Sequence, residues 1–341
     1  MSFKNLSKTL GPGLLFASTA IGVSHLVQST RAGANYGFAL VAFIIAANVF
    51  KFPFFEYGSR YASVTGESII DGYKRIGKWM LWLYFFVVIC TMFFVTSAVG
   101  FVTAGFMKNL FHVSDELGVL FSPIILFVVC VGILSIGKFK ILDNIMKVVG
   151  ILLLVSTVIA FVLTLINGRV EMMPDFIEPI IFDEDGKGIL FVIALMGWMP
   201  TALDLSSWNS LWTVEKIKSS GYKPSLKETL FEFNLGYWIT AVLSLCFLTL
   251  GAYLIYGTGK VLPAGSASFA NEIINLYTAT IGDWSYFIIA IASFSIMFGT
   301  SLAVFDGYAR SLERTSELLF FNNKSKPGKH IYVKSLLITA V

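Results

Sequence analysis

Charged residues are scarce in this chain of 341 residues, of which they make up only 13%. Hydrophobic residues make up 56%, and the mean hydropathy is +0.77. A soluble domain carries about 25% charged residues. The composition therefore excludes a soluble globular domain and predicts a polytopic, all-α membrane protein that sits in a lipid bilayer.

Cysteine frameworks and catalytic motifs are also missing from the sequence. All three cysteines lie inside apolar runs, so there is no pattern of a disulfide framework or a metal–thiolate site. No Gly-rich phosphate loop, nucleophile triad or pair of catalytic carboxylates occurs. The N-terminus lacks a signal-peptide cleavage pattern, so its first apolar run is expected to be retained. We therefore expect neither an enzyme nor a bound cofactor.

Long apolar runs predict the membrane spans, because a transmembrane helix needs about 20 residues. The last run begins near Tyr332 and meets the end of the sequence at Val341, which is too short for a crossing, so we expect a truncated chain. The eight complete spans are predicted at 10–38, 38–56, 79–107, 117–137, 148–167, 188–212, 233–259 and 284–305.

The distribution of basic residues predicts the orientation. The net charge of +4 comes from Lys and Arg in short loops, and most of them alternate onto one side of the predicted spans. This is the pattern of membrane topology, so we expect no nucleic-acid partner. It predicts a multi-pass protein of the plasma (cell inner) membrane with a cytoplasmic N-terminus. The acidic segment 169–185 is then extracytoplasmic, and it is either a solvated loop, which the pattern favours, or a vestibule that concentrates cations.

The first span carries four polar residues and a glycine at mid-depth, namely Thr19, Ser24, His25, Gln28 and Gly22. Hydroxyl, imidazole and amide groups are costly in hydrocarbon unless they have partners, and glycine weakens a helix interior. Such a helix often breaks near the middle and faces a cavity, as it does in secondary transporters. The alternative is a tightly packed helix whose small residues admit a close neighbour.

The sixth span repeats this irregularity around Pro200. Proline inside a helix removes a hydrogen bond and clashes with the preceding turn, and here it follows Gly197 and precedes Thr201 and Asp204. We expect a second broken helix whose freed carbonyl oxygens are available as ligands. Two such helices predict an inverted repeat. Its halves are residues 1–168, broken near 22–25, and residues 186–341, broken near 197–201.

Three residues of these helices are the main candidates for binding. His25 suits a transition metal or proton exchange, with a hydrogen bond between helices as the alternative. Met199 offers a soft thioether, with core packing as the alternative. Asp204 is an intramembrane carboxylate, which indicates a functional role. Glu56 and Asp306 lie near the cytoplasmic ends of spans, where pairing with Lys51, Arg60 or Arg310 is expected.

Several segments resemble the Nramp family of divalent-metal transporters, which have the LeuT fold. The opening Leu-Gly-Pro-Gly-Leu-Leu, followed by Gln28 and by 32–37, resembles the family's first helix. Met199-Pro200 resembles the start of its Met-Pro-His signature. Residues 298–308 occupy the place of its Gly-Gln-Ser-Ser-Thr region with little identity. The resemblance implies a LeuT-type fold with discontinuous helices one and six.

Departures from the family pattern change the predicted site. Gly22 stands where the family has its metal-binding Asp, and His25 where it has Asn. Thr201 and Ser206 fall on the family's histidines, which are associated with proton coupling, and the third span carries no carboxylate. The resemblance therefore implies a divalent-metal transporter without tight proton coupling. A LeuT-fold transporter of a small organic cation or amino acid and a non-transporting membrane sensor are the alternatives.

The predicted site combines side chains with the backbone of both breaks. The expected metal ligands are His25, Met199, Asp204, Ser24 and the carbonyl groups around Gly22 and Gly197. The residues expected at the breaks and along the pathway are Gln28, Pro200, Thr201 and Ser206.

Overall fold

Apolar runs of this length satisfy their backbone hydrogen bonds within helices when they cross a bilayer. The structure is a computed structural model that describes residues 11–113, 115–170, 186–321 and 329–340, and every regular element there is helical. The α-helices are α1 (Pro12–Ala20), α2 (Thr30–Tyr36), α3 (Val41–Thr65), α4 (Ile69–Ile76), α5 (Lys78–Phe111), α6 (Asp115–Asn167), α7 (Lys187–Trp198), α8 (Ser206–Ser220), α9 (Leu226–Leu254), α10 (Ser266–Ile281), α11 (Tyr286–Phe320) and α12 (Lys329–Ala340). A π-helical segment (Ile21–Ser29) joins α1 to α2, and 3₁₀ turns cover Leu203–Leu205 and Asp283–Ser285.

Six helical stretches of the described residues are long and apolar enough to cross a membrane. They are Val41–Thr65, Lys78–Phe111, Ile141–Asn167, Lys187–Ser220, Leu226–Leu254 and Asp283–Phe320. Shorter apolar helices cover Phe121–Ile136 and Ile331–Ala340. Large side chains such as Phe94 (80% exposed) and Ile136 (84% exposed) point outward, as they would towards lipid. The prediction of a multi-pass all-α membrane protein is confirmed.

The fourth and fifth predicted spans lie in one helix, α6, which reverses direction. Along α6, the ring of Phe127 meets that of Phe305 edge to face, Phe139 lies under Arg310, and Val149 faces Gly299. Following α6 in chain order, its partner on α11 is first Phe305, then Arg310 nearer the C-terminal end, and then Gly299 nearer the N-terminal end. Because a straight helix cannot do this, α6 turns back between its two apolar stretches through helical residues, where the sequence predicted a loop.

Two helices were not predicted from the sequence. Helix α4 is short and amphipathic, and it starts where the backbone N–H of Ser68 donates to the Asp71 carboxylate over 3.1 Å. Helix α10 packs beside α5 and α11. Arg31 of the first helix donates to the Pro263 carbonyl over 2.7 Å and lies over the Phe269 ring of α10.

Glycines bring the first interrupted helix into backbone contact with α9. A Cβ atom on Gly13 would lie 2.6 Å from the Glu232 carbonyl oxygen, and one on Gly33 would overlap the Leu248 carbonyl. Gly236 and Gly251 of α9 face the backbone of the first helix in the same way. Only residues without a side chain permit this approach, so the two helices are packed together at both ends.

Charged groups at the predicted cytoplasmic ends are paired. The Glu232 carboxylate accepts the backbone N–H groups of Gly11 (2.9 Å) and Gly13 (2.7 Å), so it caps the positive end of α1. Glu56 pairs with Arg60, and Asp306 with Arg310, as expected. The acidic residues predicted to form an extracytoplasmic loop, 171–185, lie outside the described residues.

Candidate functional site

The first helix is interrupted at Gly22, as the sequence predicted. The α-helix stops at Ala20, and Gly22 has a non-helical ψ of −109° within the π-helical segment. A Cβ atom at Gly22 would overlap the side chain of Thr300, whose hydroxyl donates to the Ser18 carbonyl over 2.8 Å. The threonine of α11 fills the place of a side chain at this position, so Gly22 contributes only its backbone.

The second interruption covers Met199–Ala202 and lies between α7 and α8. Met199 and Ala202 have extended backbone conformations, so the helix stops at Trp198 and restarts through a 3₁₀ turn. The break frees the carbonyl oxygens of Met196, Gly197 and Thr201. All three accept hydrogen bonds from the ammonium of Lys51 on α3, at 2.7, 2.7 and 3.2 Å.

The two interruptions meet at Ser24. Its hydroxyl contacts the Ala20 carbonyl, lies 2.9 Å from the Pro200 carbonyl oxygen and 3.0 Å from Nδ1 of His25. His25 is fully buried, and its Nε2 lies 2.8 Å from the Thr240 carbonyl oxygen. A carbonyl only accepts, so Nε2 carries the hydrogen and Nδ1 of the neutral imidazole is a bare acceptor. Three acceptors therefore surround a single hydroxyl proton.

Met199 is fully buried beside this cluster. The Ser29 hydroxyl lies 3.7 Å from its sulfur, which makes a second polar contact between the interrupted helices. The side chain also packs with apolar residues of α3 and α7, including Ile44 and Leu195. The thioether thus has both surroundings that the sequence left open, a polar contact and a packed core.

Asp204 makes its contacts with a different part of the molecule. Its carboxylate accepts from the Thr91 hydroxyl of α5 over 2.6 Å and from the Tyr308 hydroxyl of α11 over 3.4 Å. Thr91 and Tyr308 also lie 3.3 Å apart, so the three groups form one network. His25 is held by α9 instead. The structure gives the histidine and the aspartate no shared contact.

A small cavity lies between the two interruptions. Its volume of about 10 Å³ corresponds to roughly one water-sized sphere. Four hydroxyl-bearing residues, Thr19, Ser24, Thr201 and Thr300, contribute to its wall, and the remaining wall is apolar and includes Val95, Val99 and Trp198. Among the residues that line it there is no carboxylate.

Of the remaining predicted residues, only Thr201 lines this cavity. Thr201 lines it with its side chain and offers its carbonyl to Lys51. Ser206 begins α8, and Gln28 is the one half-buried residue of the π-helical segment. Within the described part of the chain, no three His, Cys, Asp or Glu residues come together as a metal cluster. Any metal ion would therefore depend largely on hydroxyl, carbonyl and single nitrogen or sulfur donors.

A larger cavity of about 600 Å³ lies between α4, α8, α11 and α12, on the predicted cytoplasmic side. Charged residues of both signs line it, among them Glu215, Arg310, Glu313 and Arg314. Arg310 pairs with Asp306 and Glu215, and Arg314 pairs with Asp71. The wall of this cavity therefore combines paired charged side chains with apolar residues such as Phe139 and Leu211.

Sequence reasoning missed the partners of the site residues. It did not find the role of Thr300 behind Gly22, or that of Thr91 and Tyr308 around Asp204. It also left Lys51 as a candidate partner for Glu56. The signal for Lys51 was present, because a lone basic residue inside an apolar span requires a partner. The identity of that partner depends on tertiary packing.

Solved structures with the same arrangement of helices are those of a manganese transporter from Eremococcus coleocola. A mutant form superposes with a TM-score of 0.67 at 12% identity, covering 99% of this chain and 70% of that one. The same transporter in complex with an aromatic bis-isothiourea substituted compound gives 0.62 at 13% identity, with the same coverage. The fold is the LeuT fold, with interrupted helices one and six, and it defines a class of multi-pass membrane transport proteins.

The family follows from the sequence itself. The family model described as Natural resistance-associated macrophage protein-like matches residues 13–305. The chain belongs to the Nramp family, as the resemblance implied. An uncharacterized protein of Pasteurella multocida (strain Pm70) is 37% identical over 321 residues, which are 94% of this chain and 73% of that protein.

Proposed function

We propose that this protein is a secondary transporter that moves a divalent metal cation across the membrane. The observation that carries the proposal is the cluster around Ser24, where the carbonyl oxygens of Ala20 and Pro200 and Nδ1 of His25 share one hydroxyl proton. A buried excess of acceptors over donors is unfavourable, and a cation relieves it. The adjoining cavity has room for one small species.

The atoms that coordinate the metal would be Nδ1 of His25, the Ser24 hydroxyl oxygen and the Pro200 carbonyl oxygen, with the sulfur of the neighbouring Met199. The Thr240 carbonyl supports this role for His25, because a metal-binding imidazole usually donates its other N–H to a carbonyl or carboxylate. Nitrogen and thioether donors favour transition metals over magnesium. The Gly22 carbonyl lies at the first break, whereas that of Gly197 accepts from Lys51.

Asp204 supplies the negative charge nearest to the second interruption. The family's first-helix carboxylate is absent, and Asp204 is the acidic residue of the sixth span that can replace its charge. We propose that it acts on the same cation as His25 at another stage of the pathway, which Gln28, Pro200, Thr201 and Ser206 also line. The charge lies at a helix break, where it attracts a cation over several ångströms in a low dielectric.

Proton transport is not tightly coupled in this proposal. Thr201 and Ser206 offer no titratable group, and on α5 the partner of Asp204 is the hydroxyl of Thr91 rather than a carboxylate. We further propose a cytoplasmic N-terminus, a location in the plasma membrane, and repeats formed by residues 1–168 and 186–341. These follow from the loop charges and the paired interruptions.

A second candidate substrate is a small organic cation or amino acid. The cavity between the interruptions is lined by hydroxyl-bearing and apolar residues without a carboxylate. Such a wall favours a substrate that brings both polar and apolar groups. A non-transporting membrane sensor is the third hypothesis, and it predicts that the substrate binds without flux.

Flux measurements with the full-length protein in proteoliposomes test the proposal. We expect uptake of at least one of manganese, iron, cobalt, zinc and magnesium, without stoichiometric acidification of the lumen. Absence of flux for all five ions would contradict metal transport and favour the organic substrate, which competition by amino acids and organic cations would then test. Stoichiometric acidification of the lumen during uptake would contradict the uncoupled mechanism and would indicate His25 and Asp204 as the proton carriers to test.

Calorimetric titration of two variants tests the site. His25→Ala should weaken manganese or zinc binding about tenfold more than magnesium binding, because it removes the nitrogen donor. Asp204→Asn should weaken all of them, because it removes the charge. His112→Asn and Asp283→Asn, which change residues at helix ends outside the site, are the matched controls. Normal affinity in both test variants would contradict this model of the site.

A further inference from the structure

Lys51 places an ammonium group inside an apolar helix. It lies in the middle of α3, and its neighbours Phe50 (71% exposed) and Phe54 (58% exposed) point outward. An ammonium at this depth is costly unless it has partners or reaches water. The residue therefore requires a specific arrangement of acceptors around it.

The structure supplies one acceptor for each N–H of the ammonium. Two are the carbonyl oxygens of Met196 and Gly197 in the last turn of α7, both at 2.7 Å. The third is the Thr201 carbonyl oxygen at 3.2 Å, beyond the interruption. Lys51 thus joins the two sides of the break through oxygens that have no partner within a helix.

These three oxygens have the chemistry of a site for a monovalent cation. The C-terminal end of a helix carries partial negative charge, and unwound carbonyls at such ends coordinate alkali-metal ions in transporters. All three are neutral carbonyls, whereas sites for calcium or magnesium usually include carboxylates. A Cβ atom at Gly197 would meet nothing within 4 Å, so there is room beside the oxygens for water to complete a coordination shell.

We propose that these carbonyls form a cation-binding cradle in which the ammonium of Lys51 serves as a tethered monovalent cation. The second interruption then keeps its geometry without an alkali-metal ion from solution. This inference goes beyond the transported substrate, because it concerns an ion that holds the helix break and not the cargo. Removal of the ammonium leaves three acceptors without a donor beside the exposed Gly197, and sodium or potassium can replace it there.

Thermal unfolding of the purified full-length protein tests this inference. Wild type, Lys51→Met, Lys51→Arg and the control Lys78→Met, which changes an exposed lysine at the start of α5, are compared in sodium, potassium and choline chloride at equal ionic strength. The wild type and the control should have the same Tm in all three salts. Lys51→Met should lose about 5 °C or more in choline and recover most of it, saturably, in sodium or potassium. The Tm of Lys51→Arg should lie between those of the wild type and Lys51→Met, and it should not depend on the salt.

If Lys51→Met loses the same Tm in all salts, or keeps the wild-type Tm in choline, the proposed cation-binding cradle is wrong. If Lys51→Met is too unstable for unfolding experiments, the yield of monodisperse protein after extraction in sodium or choline chloride replaces them. A yield that depends on the cation supports the proposal, and a uniformly low yield overturns it. Neither readout requires flux, so a failure of metal transport leaves this test intact.

Flux gives a separate readout wherever the wild type transports a cargo. Lys51→Met should then take up that cargo about tenfold faster in sodium or potassium than in choline. The uptake rate of the wild type should be the same in all three salts. Salt-independent flux in the variant would overturn the inference.

Discussion

Around Gly22 almost every residue is buried, whereas the second interruption combines buried residues, Met199, Pro200 and Thr201, with exposed ones. In the π-helical segment only Gln28 is not buried, and Thr300 fills the position in front of Gly22. At the second interruption Gly197 and Leu203 are exposed, and a Cβ atom at Gly197 would have no neighbour within 4 Å. Packing on all sides therefore holds the first break, whereas the second is packed only in part and also depends on hydrogen bonds from one ammonium.

This difference indicates which break changes shape more easily. Moving the first helix relative to α9 would separate backbones that touch at Gly13 and Gly33, and close-packed interiors resist such changes. Moving α7 requires that Lys51 release or exchange its acceptors. We therefore expect the first helix and α9 to move as one body, with the second break as the adjustable part.

The largest effect should come from adding one methyl group to the packed contact. Gly33→Ala places a Cβ atom on the Leu248 carbonyl, and because the obstacle is backbone, the helices must separate, at a cost of about 3 kcal/mol or more. Gly197→Ala is the matched control and should be neutral within about 0.5 kcal/mol, or stabilising through helix propensity. The Tm of the two variants measures the difference. Equal effects would contradict the contrast between the breaks.

An intermediate effect should come from the cap of α1. Glu232→Ala removes the buried acceptor of two backbone N–H groups and should cost about 2–3 kcal/mol. Glu232→Gln keeps one carbonyl oxygen in place and should cost less. Glu228→Ala, in the exposed capping box at the start of α9, should cost about 1 kcal/mol. Denaturation curves that rank Glu228→Ala above Glu232→Ala would show that the first helix is not held at this end.

Sequence patterns predicted the positions of both breaks because the causes are local. Pro200 cannot continue a helix, and a cluster of polar residues around Gly22 is unfavourable in an intact apolar helix. The spans could be predicted because length and hydropathy are local as well, and the two apolar stretches of α6, Phe121–Ile136 and Ile141–Asn167, overlap the fourth and fifth predicted spans. The sequence predicted a loop between them, but residues 138–147 contain neither glycine nor proline, so no local signal separated a loop from a helical turn.

The contacts of the site depend on packing between distant segments. His25 and Asp204 looked equivalent in the sequence, as polar groups beside helix breaks. Their partners, Thr240 for one and Thr91 with Tyr308 for the other, lie on three different helices. No pattern within the first or sixth span contains this information. Whether the histidine and the aspartate act on one cation stays a prediction.

The smallest effect should come from the hydroxyl that joins the two breaks. Ser24→Ala leaves the Pro200 carbonyl and Nδ1 of His25 without this donor, and one lost hydrogen bond costs about 1 kcal/mol. Ser29→Ala, which loses only a weak contact to the Met199 sulfur, is the matched control and should cost less than about 0.5 kcal/mol.

Combining Ser24→Ala with Lys51→Met completes the comparison between the breaks. If the second break is the adjustable one, the Pro200 carbonyl relaxes once Lys51 is gone, and the serine then stabilises less. The loss of unfolding free energy in the double variant should therefore be smaller than the sum of the losses in the two single variants, by about 0.5 kcal/mol or more. Additive changes would mean that Pro200 is fixed by packing, so that both breaks are held in the same way.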